Sequence, residues 1–251
     1  MSLLEMLDLG EGFKKYFEVI PALTPALKEQ AFRIRHSVYC EDLKFEPVRP
    51  DGRETDEYDA NSLHCLVRNV NNGEFVGCTR LILMRTDEPL YRLPFEKSCE
   101  MTLDRTIVDP GGLPRHRIGE ISRFAVLSKY RRRKGEQGEV AGIADDSYGD
   151  AKRPRFPYIP VALYLGILSI ALHHGVDTVF MLTERRLAAH FGRLGAKVTQ
   201  IGAPVEHRGE RIPWMMNSKA IVDGLNLVTR PLYNVIAAEV QRAMSQRGVA
   251  P

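Results

Sequence analysis

The chain of 251 residues has no C-x-x-C pair, and its four cysteines, Cys40, Cys65, Cys78 and Cys99, lie at wide and irregular spacings. That excludes a disulfide framework or a zinc ribbon and reads as reduced thiols serving as small buried hydrophobes. No apolar run reaches membrane-spanning length, since the longest, 161–172, is bounded by Pro160 and His173-His174. The first nine residues are acidic, and their apolar run is too short for a signal peptide. The expectation is a cytoplasmic protein with no transmembrane segment. A net charge of +3 is too small to imply a stable nucleic-acid partner. There is no internal repeat and no glycine-rich pyrophosphate loop. His173, His174 and His190 lack carboxylates at ligand spacing, so no metal site is expected.

What is present centres on residues 118–134, I-G-E-I-S-R-F-A-V-L-S-K-Y-R-R-R-K. Ile118, Ile121, Phe124, Val126 and Leu127 describe a largely buried strand. Glu120 and Arg123 interrupt it, and buried charges are costly unless paired. Five cations follow within six residues: Lys129, Arg131, Arg132, Arg133 and Lys134.

Along the chain, 3–22 reads as an amphipathic helical arm ended by Pro21. Thr24 and Pro25 open a helix over 25–39 as N-cap and first-turn proline. Residues 41–62 form a long polar, acidic loop, a class that is often functional. Strands at 64–70 and 74–83 are joined by Asn71-Asn72-Gly73, a hairpin turn, and 87–117 is irregular. Residues 135–156 carry mixed charge and almost no large apolar residue, which reads as a mobile insertion. A helix over 157–174, a strand over 177–182, a helix from Thr183 to Leu194, strands at 197–201 and 211–218 and a closing helix at 229–244 complete the order. This is an α/β (mixed α+β) pattern with helices on both faces of a mixed sheet. The division expected is one domain over 1–251, with an arm at 1–24, a core at 25–220 and a terminal helix at 229–246.

Five ordered blocks carry a resemblance: Arg35-x3-Tyr39, Phe45, Asp56-x2-Asp59, Gly77-x2-Arg80-Leu81 and Glu120-x2-Arg123-Phe124. Together they resemble the signature of acyl-homoserine-lactone (autoinducer) synthases, a branch of the GNAT acyltransferases. The wording F-R-I-R-H-S-V-Y-C-E, Y-D-A-N-S-L-H-C and E-I-S-R-F-A-V-L-S-K-Y-R-R-R is similar to PEP-CTERM/exosortase-associated acyltransferases, to which N-acyl amino acid synthases are related. The resemblance runs from about Phe32 to Asn217. It implies a three-layer α-β-α sandwich with a splayed mixed sheet, the GNAT-like acyl-CoA N-acyltransferase fold. It also implies transfer of a long acyl chain from acyl carrier protein, or from coenzyme A, to a small-molecule amine, with no permanently bound cofactor. Autoinducer synthases have tryptophan where this chain has Phe45 and phenylalanine where it has Tyr39, which speaks against homoserine-lactone chemistry.

By the resemblance, Glu120, Arg123 and Arg80 are the catalytic group. Arg35, Tyr39, Phe45, Asp56, Asp59 and Ser122 bind the acceptor, and Phe124, Val126, Tyr130, Arg131, Arg132 and Arg133 bind the donor. Each has a plainer reading. Glu120 is either a general base, tuned upward by burial, or the partner of Arg123 in a structural ion pair, if a bulge puts both on one face. Arg80 is either part of the site or a surface arginine. The acidic loop either attracts a cationic amine and closes over it through Arg35 and Arg123, or is a solvated turn. The basic turn either cradles a phosphate, docks acidic carrier protein, or is solvated. The apolar stretches 161–172 and 179–182 either line an acyl tunnel or pack as core.

Overall fold

The computed structural model describes residues 9–131, 156–195 and 197–246. Eight strands form one mixed sheet: β1 (Phe17–Pro21), β2 (Ser62–Asn69), β3 (Phe75–Leu83), β4 (Ile118–Val126), β5 (Thr178–Thr183), β6 (Val198–Gln200), β7 (Val205–Glu206) and β8 (Glu210–Asn217). The spatial order is β1-β2-β3-β4-β5-β8-β6, with β7 paired to β8. All neighbours are antiparallel except β4 and β5.

Helices cover both faces. Behind the sheet lie α1 (Leu9–Lys14), α4 (Tyr158–His173) and α7 (Thr229–Ser245). In front lies α2 (Pro25–Arg35), which continues as a π-helical stretch, His36–Asp42. The expected Thr24 N-cap is present, its hydroxyl accepting from Leu27 N–H at 3.2 Å. Three shorter helices, α3 (Pro94–Ser98), α5 (Arg185–Arg193) and α6 (Ser218–Gly224), lie in the connections. The layers are thus α-β-α, as the resemblance implied.

Helix α4 is buried on every side from Tyr158 to Ala171, as a helix apolar all round must be. Its packing needs small residues. A Cβ on Gly77 of β3 would stand 3.0 Å from the Ala125 carbonyl oxygen and 3.0 Å from Leu163. Gly77 therefore lets helix and sheet approach closely. All four cysteines are buried and unbonded.

The sheet opens in its middle. β4 and β5 pair only at Ile118↔Thr178, Gly119↔Val179 and Glu120↔Phe180. β4 then stays with β3 as far as Val126, while β5 stays with β8 as far as Thr183. Beyond Glu120 the two strands diverge, and a cleft forms between them.

The N-terminal arm differs from expectation. Residues 17–21 are an edge strand, not helix, with alternating burial and a full antiparallel register to β2 from Phe17↔Asn69 to Pro21↔Cys65. Pro21 sits at the end of that edge, where a missing N–H costs least. Of the insertion, only Phe156 falls within the described residues.

Candidate active site

The register between β3 and β4 shifts between Cys78 and Arg80, and opposite the shift Arg123 adopts a left-handed backbone, φ 51°. That is a β-bulge at a non-glycine residue, a conformation costing on the order of 1 kcal/mol and kept only where the surroundings enforce it. The bulge resets the alternation of β4. Phe124 and Val126 join Ile121 in the rear core, while Ala125 packs in front against Ala31 and Cys78. Arg123 comes onto the front face, which Glu120 and Ser122 share with their register partners Ile82 and Arg80. The two charges of the central strand thus share a face, yet do not pair. The ion-pair reading of Glu120 with Arg123 is corrected on this point.

Arg123 turns instead to the acidic loop. Its Nη2 donates to Glu54 Oε1 and to Asp56 Oδ2, each at 3.0 Å, and its guanidinium lies 5.6 Å from the Tyr39 ring centre. Arg35, fully buried, donates through Nε to Glu54 at 2.5 Å and forks onto Asp59 at 2.6 and 3.0 Å. Arg80 forks onto Asp56 at 2.6 and 2.9 Å, reaches Asp59 at 2.8 Å and donates to Ser122 Oγ at 3.1 Å. Three guanidinium groups and three carboxylates balance in one buried network.

The network also fixes the loop. Asp56 caps the turn Glu57–Asn61 by accepting from Tyr58 N–H at 3.0 Å, while Asp59 accepts from Asp56 N–H at 2.8 Å. The expected ion pairs from the acidic loop to Arg35 and Arg123 are present, and they make the loop a braced wall in place of a solvated turn. Arg80 is buried in that wall rather than exposed at an edge.

Electrostatics follow the partners. Burial works to raise Glu54, but Arg123 and Arg35 overcome it and hold its pKa at about 2. Asp59 is likewise depressed, with Arg35 and Arg80 outweighing burial. His64, buried beside Arg35, is pushed down to about 3 by burial and by that neighbour, and is neutral. Glu120 goes the other way. Burial raises it to about 8, and the hydrogen bond from Phe95 N–H, Arg80 and Arg123 offset only part of that.

A cleft of about 680 Å³ opens at the splay, with Glu120 near its apex. On the β4 side it is lined by Ile121, Ser122, Arg123 and Phe124, and on the β5 side by Met181, Leu182 and Thr183. Tyr39 and Phe45 line it from the front helix and loop, with the Tyr39 hydroxyl donating to the Phe124 carbonyl at 3.1 Å. Arg80 and Asp56 also reach the lining, whereas Arg35 and Asp59 stand behind it as supports.

The donor-side residues divide. Phe124 lines the cleft, and Val126 is core. Tyr130 donates to Glu74 at 2.8 Å and Arg131 pairs with Asp42, and neither lines the cleft. Arg132 and Arg133 lie outside the described residues. The described part of the basic turn is therefore engaged within the chain, since Lys129 also pairs with Glu74. Helix α4 does not line the cleft, so its apolar run is core, although Met181 and Leu182 do face the opening.

Several residues at the site were not legible in the sequence. Glu54 joins Arg35 to Arg123 at the centre of the network, and nothing in its local sequence distinguishes it from Glu57. Phe95, in a stretch read as irregular, supplies the N–H that holds Glu120. On the far bank the β7–β8 hairpin brings His207, Arg208 and Arg211 to the cleft, where Arg208 pairs with Glu46 and Arg211 with Glu184.

Residues 34–140 match the family described as acetyltransferase (GNAT) domain. That segment carries a GNAT acyltransferase domain. An acyl-homoserine-lactone synthase of Pseudomonas aeruginosa is 25% identical over 198 residues, covering 78% of this chain and 81% of that protein. Among solved structures, the coenzyme-A-dependent acyl-homoserine-lactone synthase BjaI, with SAM and isopentyl-CoA, superposes with a TM-score of 0.55 at 22% identity, covering 91% of this chain and 98% of that one. FeeM, an N-acyl amino acid synthase from uncultured soil microbes, gives 0.53 at 16%, covering 85% and 97%. The splayed sheet is thus the fold that this chain shares with the structures of both kinds of synthase.

Among the described residues no cluster of histidine, cysteine and carboxylate side chains suits a metal ion, and no helix is long and apolar enough to cross a membrane.

Proposed function

We propose that the protein transfers a long acyl chain from an acyl thioester to the amine of an amino-acid-like small molecule. The observation that carries this is Glu120. It is a carboxylate without a cationic partner, raised to about 8, at the apex of a cleft between two diverging strands. A base whose pKa lies near the working pH combines a usable ionised fraction with real proton affinity.

In the reaction, Glu120 takes a proton from the acceptor ammonium, directly or through a water. The amine attacks the thioester carbon, and a backbone N–H of β4, released from pairing by the splay, stabilises the oxyanion. The C–S bond then breaks, the departing sulfur takes the second proton of the attacking amine and leaves as the thiol, and the amide remains. Arg80 and Arg123 act as positioning residues that hold the acidic wall. Tyr39, Phe45 and Ser122 shape the acceptor side, and Phe124 the donor side.

One further feature supports an acceptor that carries an anionic group: Arg49, at the cleft lining, donates to Thr55 at 3.1 Å and makes no ion pair among the described residues. The donor is acyl carrier protein, docked through the basic turn that Arg132 and Arg133 continue. Coenzyme A is the second reading, favoured by the coenzyme-A-dependent relative. The likeness to exosortase-associated acyltransferases and a cytoplasmic location belong to the same proposal.

The deciding experiment is mass spectrometry of lipid extracts from cells expressing the wild type or Glu120→Gln. A new N-acyl amine in the first and not the second is the expected result. No new product, beside robust acetyl-coenzyme-A turnover, would replace this reading with a small-acyl acetyltransferase.

A further inference from the structure

The Glu120 carboxylate has one hydrogen-bond partner among the described residues: Phe95 N–H donates to its Oε2 at 2.8 Å. That N–H lies in the first turn of α3, where helical donors have no partner of their own. The turn is fixed by Glu96. Its carboxylate accepts from Leu93 N–H at 2.8 Å, and Arg115 forks onto it, Nη1 to Oε1 and Nη2 to Oε2, both at 2.8 Å. The same guanidinium donates to the carbonyls of Tyr91 and Pro110 at 3.1 Å each. From the other side, the Phe95 ring stacks on Phe180 at 4.3 Å, and Phe180 is the register partner of Glu120 on β5.

We propose that the Arg115–Glu96 pair is a positioning device that sets the proton affinity of Glu120, acting through the Phe95 N–H and the charge beside it. The proposal rests on the reading of Glu120 as the base and assigns it two supporting residues. The ionisable groups whose charge acts most on Glu120 are Arg80 from β3, Glu96 from α3 and Arg123 from β4, and the Cys99 thiol following α3 is coupled to it as well. The two arginines are engaged by the acidic wall, and burial keeps the Cys99 thiol neutral. Glu96 is the anion of the set, and Arg115 compensates it.

The signs follow from this arrangement. Without Arg115, Glu96 stands uncompensated and the turn loosens, and both effects disfavour the Glu120 carboxylate. With Glu96→Gln, the amide oxygen still accepts from Leu93 N–H, but the anion is gone and Arg115 remains, so the carboxylate is favoured. A purely structural role would not give opposite shifts.

The test is an infrared pH titration of the full chain, following the carboxyl band that is absent in Glu120→Gln. The midpoint moves down by about one pH unit in Glu96→Gln and up by about one unit in Arg115→Met, while Arg115→Lys stays near the wild type. Midpoints that do not move, or that move in the same direction in folded variants, overturn the proposal. Where Arg115→Met fails to fold, Glu96→Gln, which keeps the cap, decides by the direction of its shift. Acyl transfer by Glu120→Gln is read separately. Retained transfer removes the base reading, while unmoved midpoints beside an inactive Glu120→Gln remove the clamp alone.

Discussion

Glu54 and Glu120 are the same residue type, 1% and 3% exposed, and both line one cleft. One is held at about 2 and the other raised to about 8. Burial pushes both upward, so partners decide the outcome. Glu54 is gripped by two guanidinium groups, whereas Glu120 has one backbone N–H and only the more remote charge of Arg80 and Arg123. The first arrangement makes a wall, and the second leaves a group able to exchange a proton. Two arginines on separate elements, Arg35 on α2 and Arg123 on β4, are what set the two carboxylates apart.

The strongest way to break the contrast is to remove the grip. Arg35→Met leaves Glu54 and Asp59 buried beside fewer cations, and is expected to cost about 3–5 kcal/mol in urea unfolding at pH 7. Next comes the pH dependence of stability contributed by Glu120. Its folded pKa is raised, so its contribution is complete below about pH 4.5 and is lost as the pH climbs through about 8. Unfolding measured from pH 5 to 8 should show a decline that Glu120→Gln flattens, by up to about 4 kcal/mol across that window. Glu54 has the opposite sign: its contribution is present above about pH 4.5 and lost as the pH falls through about 2. Glu54→Gln should therefore cost about 3 kcal/mol at pH 7, with the gap to wild type closing in acid. The smallest effect belongs to Tyr39→Phe. It removes the hydrogen bond to the Phe124 carbonyl and should cost about 1 kcal/mol, without moving the Glu120 titration.

The Glu120 half of this contrast was legible in the sequence, because Glu120 and Arg123 interrupt an apolar strand and such interruptions are expensive. Arg35, Asp56, Asp59 and Arg80 were legible only as a spaced set, since each alone resembles a surface charge. Glu54 was not, because a residue in an acidic loop gains its partners from strands and helices far away in the chain. Phe95 was hidden for a different reason: its contribution is a backbone N–H, which any residue but proline can supply. Pro94 followed by Glu96 two positions later did mark a helix start. At 17–21, five residues of alternation are too short to outweigh the helical period around them, and pairing with β2 settles the structure. The bulge at Arg123 carries no glycine to announce it, so the switch of faces along β4 is a product of the ion pairs that hold it.

On the proposed mechanism, a lone buried carboxylate, Glu120, takes the proton in an N-acyl transfer. The decisive measurement is the pH dependence of kcat/KM for the acylated product in wild type and Glu120→Gln. A wild-type rate that rises through a midpoint near 8, and a Glu120→Gln variant slower by about 10²–10⁴-fold without that limb, is the predicted result. A Glu120→Gln enzyme with wild-type turnover and an unchanged profile would contradict it.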